Sequence, residues 1–465
     1  MIYVGAKNVS GTSTYKFLER ALSDRKDQEV ILFQIREKGL DTRFDPIARD
    51  FVRIAAAVNL ADRQVRRSTR SGHRPRSFNV TVTVSDVALW RRVSQLVEAM
   101  ASFASQDLWR LEFAQSERTA GILAEPAPAA DVVALFSGGL DSLCGAAHLT
   151  GRDEDVLLLT HSPPSRERVD TMVRQLPKLL RGGTPSRFHL GSISVVPEQR
   201  DTAGRRSRFQ EFTRRTRPFL YLSIAAAAAI VSGARRVQMS ENGALGSSLP
   251  FRRSHYGPRI TRQGHSFMLE GFEKIVAALR PDHPPVRFVN PFSASTKGEA
   301  CKLLLASPMV AKATLSCEYS GQQIARLKAW SQLNGLSAHR IARVRQCGLC
   351  VPCIVRRAAL KRAGLPDPAG DYYFHADRTL KRIQSGRASP DLAVQPPLFA
   401  FVSVHPVYAA RFASEILSTD LASFASQYMN ELASIRPAVI SKRRMEEVFN
   451  LQRRFARELL DYLDG

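Results

Sequence analysis

Residues 137–142 read Ser-Gly-Gly-Leu-Asp-Ser and follow directly on the apolar run 132–136. A turn of this kind, where a buried strand ends and a helix begins, aims backbone N–H groups and hydroxyls at one point where an anion can sit. Gly138 and Gly139 let the backbone approach a ligand with no Cβ in the way. Ser137 and Ser142 add hydroxyl donors, and Leu140 lies in the same loop. Asp141 brings a carboxylate that repels bare phosphate but suits Mg²⁺ bridging phosphate oxygens. No Gly-x-x-x-x-Gly-Lys pattern is present here, so the loop is not of the Walker type.

A second chemical cluster lies late in the chain. Cys347, Cys350 and Cys353 are spaced two residues apart, and Cys317 precedes them by thirty positions. In a reducing compartment such clustering points to metal ligation rather than disulfides. Four thiolates around Zn²⁺ leave no open position, which predicts a structural site. Cys144 and Cys301 stand apart and read as small core residues.

Composition bounds the rest. With 465 residues, two or three domains are expected, and an apolar fraction of 44% is ordinary for a globular protein. The net charge of +24 favours polyanions and leaves room for RNA or DNA on the surface without requiring either. The densest basic run comprises Arg200, Arg205, Arg206, Arg208, Arg214, Arg215 and Arg217. The longest apolar stretch, 219–231, is too short to span a bilayer, and the opening residues do not form a cleavable signal peptide, so a cytoplasmic protein without membrane contact is expected.

The elements that position these residues follow from periodicity. Residues 1–123 combine strand-like runs at 29–36 and 77–85 with helical segments at 47–58 and 86–104, predicting an N-terminal α+β accessory domain. Residues 124–130, Ala-Glu-Pro-Ala-Pro-Ala-Ala, read as a linker. From 131 to 365, strands at 132–136, 155–160, 187–196 and 236–240 alternate with helices. That predicts an α/β fold with a doubly wound parallel sheet. Ligands of such sheets lie beyond the carboxyl ends of the strands, where residues 137–142, His161 with Ser162, and Glu241 with Asn242 converge. Residues 366–465 predict a helical extension, clearest in the stripe Val448, Leu451, Phe455, Leu459 and Leu463, a packed face.

The turn at 137–142 resembles the PP-loop of N-type ATP pyrophosphatases, which cleave ATP between the α- and β-phosphates. Four segments together resemble the 7-cyano-7-deazaguanine synthase (QueC-like) family. They are residues 136–142; residues 217–229, Arg-Pro-Phe-Leu-Tyr-Leu-Ser-Ile followed by five Ala; Asn290-Pro-Phe with Thr296-Lys297-Gly-Glu299; and residues 314–317 with the later cysteines and Arg356-Arg357. The resemblance covers about 131–365. It implies the adenine nucleotide alpha hydrolase (HUP) fold with a zinc knuckle, and ATP, Mg²⁺ and Zn²⁺ as cofactors. It further implies a substrate, 7-carboxy-7-deazaguanine, whose carboxylate is adenylated before an amine displaces AMP. Lys297 and Arg217 are the candidates for countering phosphate charge beside Asp141. Residues 137–142 and His161 would hold ATP and Mg²⁺, and Glu241 and Asn242 would line the nucleobase pocket, although Ser-Glu-Asn-Gly-Ala at 240–244 departs from the family's usual order.

Other departures are the long gap from Cys317 to Cys347, which predicts an inserted helix at about 322–333, and the additional domains at both ends. Those additions resemble the QueC-like proteins of bacterial anti-phage defence (QatC-like). In that branch the activated base can be joined to the N-terminal amine of a partner protein instead of to ammonia. Three alternatives stay open on sequence: a nitrile synthase using ammonia, a PP-loop enzyme that modifies tRNA, and a non-catalytic nucleotide-binding scaffold.

Overall fold

The computed structural model describes residues 2–6, 14–16, 29–40, 42, 45–65, 75–116, 128–161, 166–179, 184–197, 211, 213–247, 249, 262, 264–318, 324–325, 328–329, 344–386, 404–433 and 441–465. Of the basic run, Arg200 to Arg208 lie outside these residues, as do Ser162, most of the 124–130 linker and most of the expected helix at 322–333.

The strands are β1 (Ile2–Ala6), β2 (Thr14–Lys16), β3 (Glu29–Lys38), β4 (Ser77–Val84), β5 (Leu108–Gln115), β6 (Val132–Leu135), β7 (Asp155–Thr160), β8 (Arg187–Pro197), β9 (Arg236–Gln238) and β10 (Arg287–Val289). They form one sheet in the order β10-β9-β6-β7-β8-β3-β1-β4-β5, with β2 paired to β3. Pairing is parallel throughout except at β2–β3 and β3–β8. The strands expected as a separate α+β unit therefore continue the same sheet. The join is the antiparallel ladder of β8 on β3, running from Phe33 opposite Pro197 to Lys38 opposite Ser192.

The helices are α1 (Pro46–Gln64), α2 (Val87–Ser105), α3 (Leu140–Leu149), α4 (Arg166–Gln175), α5 (Arg217–Ser232), α6 (Gly243–Gly246), α7 (Ser266–Leu279), α8 (Lys297–Cys301), α9 (Val351–Ala363), α10 (Ala376–Gln384), α11 (His405–Ser418), α12 (Leu421–Ala433) and α13 (Lys442–Leu463). Alternation along the central strands assigns them to two faces. Val133, Leu157 and Leu159 pack into a core with residues of α1, α2, α5 and α7. Val132, Ala134, Val156 and Leu158 pack into another with residues of α3, α4, α8 and α9. Burial on both faces explains why β6 and β7 are apolar at nearly every position. No described helix is long and apolar enough to cross a membrane.

A third core joins the late cysteines to the C-terminal helices. Val448, Leu451, Phe455, Leu459 and Leu463, the stripe read from sequence, are all buried there beside Cys347, Cys350 and Cys353. The extension thus packs on the cysteine segment.

Within the parallel part, β6 pairs with β7 on one side and β9 on the other. The chain leaves β6 toward β7 and β8, then returns through α5 to β9 on the opposite flank. This reversal of strand order lies at the carboxyl ends of β6 and β9, outside which a doubly wound sheet usually has the crevice that takes a ligand.

Candidate active site and metal centre

The turn after β6 has the geometry its composition predicts. Gly138 adopts φ of 71°, a left-handed conformation that a side chain would strain. Ser137 Oγ accepts from the Gly139 N–H at 3.3 Å, and Ser142 Oγ donates to the Gly139 carbonyl at 2.9 Å. The two hydroxyl oxygens are 3.4 Å apart. Leu140, in contrast, is turned into the core rather than toward the crevice.

Asp141 stands in the first turn of α3 and meets residues from two other segments. Its Oδ2 lies 2.6 Å from Lys297 Nζ, the first residue of α8. Its Oδ1 accepts from Asn242 Nδ2 at 3.3 Å, and the same amide nitrogen donates to Glu241 Oε1 at 3.2 Å. Asn242 Oδ1 caps α6 by accepting from the Leu245 N–H. Lys297 is buried, and burial alone would depress its pKa; Asp141, then Glu241, more than offset this and raise it above the ordinary lysine value. Here one fixed ammonium faces two carboxylates, a net negative charge that favours a cation.

Two further contacts explain how these residues are held. Asn290, just past β10, donates from Nδ2 to the Glu241 carbonyl at 2.8 Å and accepts at Oδ1 from the Glu241 N–H at 3.3 Å. Thr296 and Glu299 form a reciprocal capping box that starts α8 at Lys297. Sequence alone marked both segments but gave Asn290 no role.

His161 and Arg217 form a second group. Arg217 opens α5, and its guanidinium donates to Tyr221 Oη and lies 5.4 Å over that ring. The His161 ring centroid is 5.7 Å from that of Tyr221, and its Nδ1 is 2.9 Å from the Ile193 carbonyl. Burial foremost, with Arg217 adding to it, lowers the His161 pKa, so the ring is neutral at physiological pH. The start of α5 is pinned by the first half of the chain, because Asp62 of α1 accepts from Thr213 Oγ1 and Thr216 Oγ1 at 3.0 and 2.9 Å. The buried Asp62 is itself paired with Arg76, which also meets Asp107 at 2.6 Å.

The four expected cysteines do come together: the sulfurs of Cys317, Cys347, Cys350 and Cys353 all lie within 4.8 Å of one another, and all four residues are buried. Backbone N–H groups point at three of them, from Cys347 to Cys317 at 3.2 Å, from Cys350 to Cys347 at 3.3 Å and from Glu318 to Cys350 at 3.5 Å. Gly348 makes the knuckle possible; at φ of 86°, a Cβ on it would lie 1.9 Å from the Phe374 carbonyl oxygen. Donation from Cys347 and the other thiols lowers the pKa of Cys317, whereas burial raises Cys350 and Cys353. Four buried thiols converging on one point are a donor set that can hold a metal ion such as zinc. Cys144 and Cys301 are buried with sulfurs 3.9 Å apart, as core residues.

No protein-family model matches the chain, and no curated protein sequence matches it.

Proposed function

We propose that this protein is an ATP-dependent C–N ligase of the N-type ATP pyrophosphatase class, with the HUP fold and a structural zinc in its cysteine knuckle. Its substrate is 7-carboxy-7-deazaguanine or a similar nucleobase acid. A carboxylate oxygen attacks the α-phosphorus of ATP, pyrophosphate leaves, and an amine then attacks the acyl carbon and expels AMP. The N-terminus of a partner protein in an anti-phage system is the acceptor that best explains the additional segments at either end.

The observation that carries this reading is the Asp141–Lys297 pair at 2.6 Å, set beside a glycine turn at the reversal of strand order. Carboxylates are poor acylating agents until their oxygen becomes part of a leaving group, and charge that develops on the phosphates needs fixed donors. The N–H groups of 138–142 and the Ser137 and Ser142 hydroxyls would hold phosphate, and Asp141 would hold Mg²⁺. Lys297, released from part of its pairing with Asp141 once that cation is present, would meet the developing phosphate charge. His161 at the end of β7 and Arg217 at the start of α5 would contact the nucleotide. Asn242 and Glu241 would hydrogen-bond the guanine-like edge, where a carboxylate accepts from paired N–H groups.

An isotope experiment tests the adenylation. Substrate carrying ¹⁸O in its carboxylate, incubated with ATP, Mg²⁺ and an amine, should yield AMP bearing one ¹⁸O together with pyrophosphate. Lys297→Met should slow this about 100-fold or more. Formation of ADP and phosphate, or AMP free of label, would reject the mechanism. Mass spectrometry of co-expressed neighbouring proteins then identifies the acceptor through a deazaguanine adduct on an amino terminus; nitrile product in the absence of any such protein would instead establish the ammonia-using reaction.

A further inference from the structure

The C-terminal extension reaches Lys297 through a single buried carboxylate. Glu458 of α13 is 3% exposed. It accepts from Thr296 Oγ1, 162 positions earlier in the chain, at Oε1, and from the Gly298 N–H at 3.3 Å at Oε2. The two oxygens thus grip the residues on either side of Lys297. Packing here is close: a Cβ on Gly298 would lie 2.6 Å from Glu458 Oε1 and 2.8 Å from Arg362 Cβ. One turn earlier on α13, Arg454 binds Glu299 Oε1 and the Ala294 carbonyl, each at 2.8 Å. A helix as short as α8 has little stability of its own, so its orientation is set by what it packs against.

We infer that Glu458 is a positioning residue for Lys297, which makes the C-terminal extension part of the catalytic unit rather than a module attached to it. The catalytic meaning of this inference rests on the ATP reading above; the positional part does not. The charged groups facing Glu458 are Glu299 on α8 and Arg362 on α9, with Arg454 on its own helix. Burial pushes its pKa up to about 7, against the lowering effect of Thr296 and Gly298. Ionisation of Glu458 strengthens the bond from the Gly298 N–H, so the grip on α8 tightens as pH rises through that value.

Two measurements on the full-length protein test this. In Glu458→Gln, which keeps the side-chain volume, hydrogen exchange at the amides of residues 296–301 should quicken about tenfold while the amides of β6 are unchanged. Glu458→Ala should give a larger increase, and if that variant fails to fold, Glu458→Gln carries the test. In the second measurement, pyrophosphate release by the unaltered protein should rise with pH through about 7. Glu458→Gln should lack that rise and turn over about tenfold more slowly. Unchanged exchange at α8, or a Glu458→Gln profile that keeps the rise, would overturn the inference. If the unaltered protein releases no pyrophosphate, the ATP reading fails, and the exchange measurement still decides whether Glu458 positions α8.

Discussion

The side chain of Asn290 is hydrogen-bonded on both edges to the backbone of Glu241, donating at 2.8 Å and accepting at 3.3 Å. It acts as one more rung beyond the parallel pairing of β9 and β10, which ends with Gln238 opposite Val289. Glu241 and Asn242 leave the sheet at this point, and the rung ties the Glu241 backbone to the segment that follows β10.

Asn290→Ala is therefore expected to loosen the pocket floor more than the fold. Loss of three partly buried hydrogen bonds, the two to Glu241 and the one Oδ1 accepts from the Phe292 N–H at 3.1 Å, should cost about 2–3 kcal/mol in urea unfolding. The KM for the nucleobase acid should rise about tenfold with kcat changed less, because Glu241 is a binding residue in the proposed reaction. A variant with native KM would mean that Glu241 is held by other contacts.

Metal removal gives a second prediction. The protein should carry one zinc per chain, measured by elemental analysis, and Cys350→Ser should abolish binding. Because the cysteines share a core with α10 to α13, chelation should lower the melting temperature by roughly 5 °C or more and expose residues 344–386 to protease. Full activity after verified metal loss, with an unchanged melting temperature, would contradict a structural role.

Local signals in the sequence reached as far as local physics does. The Ser-Gly-Gly turn, the strand at 77–84 and the apolar spacing of α13 are each set by a few neighbouring residues, and all three are realised, although Thr81, on the face opposite Val80 and Val82, is buried as well. β5 carries the same kind of local signal, since Trp109, Leu111 and Phe113 alternate with exposed neighbours. What could not be read were contacts across long separations. Nothing near Phe33 announces Pro197 as its partner, so the shared sheet was invisible. Asp62 is an ordinary acid on a helix until Thr213 and Thr216 arrive from more than 150 positions away. Glu458 is likewise one charge in a basic helix, and only burial against Thr296 and Gly298 sets it apart. Of the site itself, the residue types were evident, and the clamps supplied by both ends of the chain were not.

Glu458 also predicts how stability should depend on pH. Its pKa stands near 7 in the folded protein against 4.5 ordinarily, so between these values the folded state holds a proton that the unfolded state has lost. Stability from this group is present below about 4.5 and declines as pH rises through 7. The decline is at most about 3.5 kcal/mol, from roughly 1.4 kcal/mol per pH unit of displacement. Exposed carboxylates such as Asp155, lowered to about 2 mainly by its bond to Arg187, act in the opposite sense and lose their contribution only as pH falls toward that value. Glu458→Gln removes the first effect and leaves the second. Urea unfolding of both proteins at pH 5, 6, 7 and 8 should show the variant gaining on the parent across the series; parallel curves would mean that Glu458 titrates normally. A carboxylate that costs stability in its ionised form, while gripping the helix of Lys297 in that same form, is the pattern expected where function rather than folding keeps a buried charge in place.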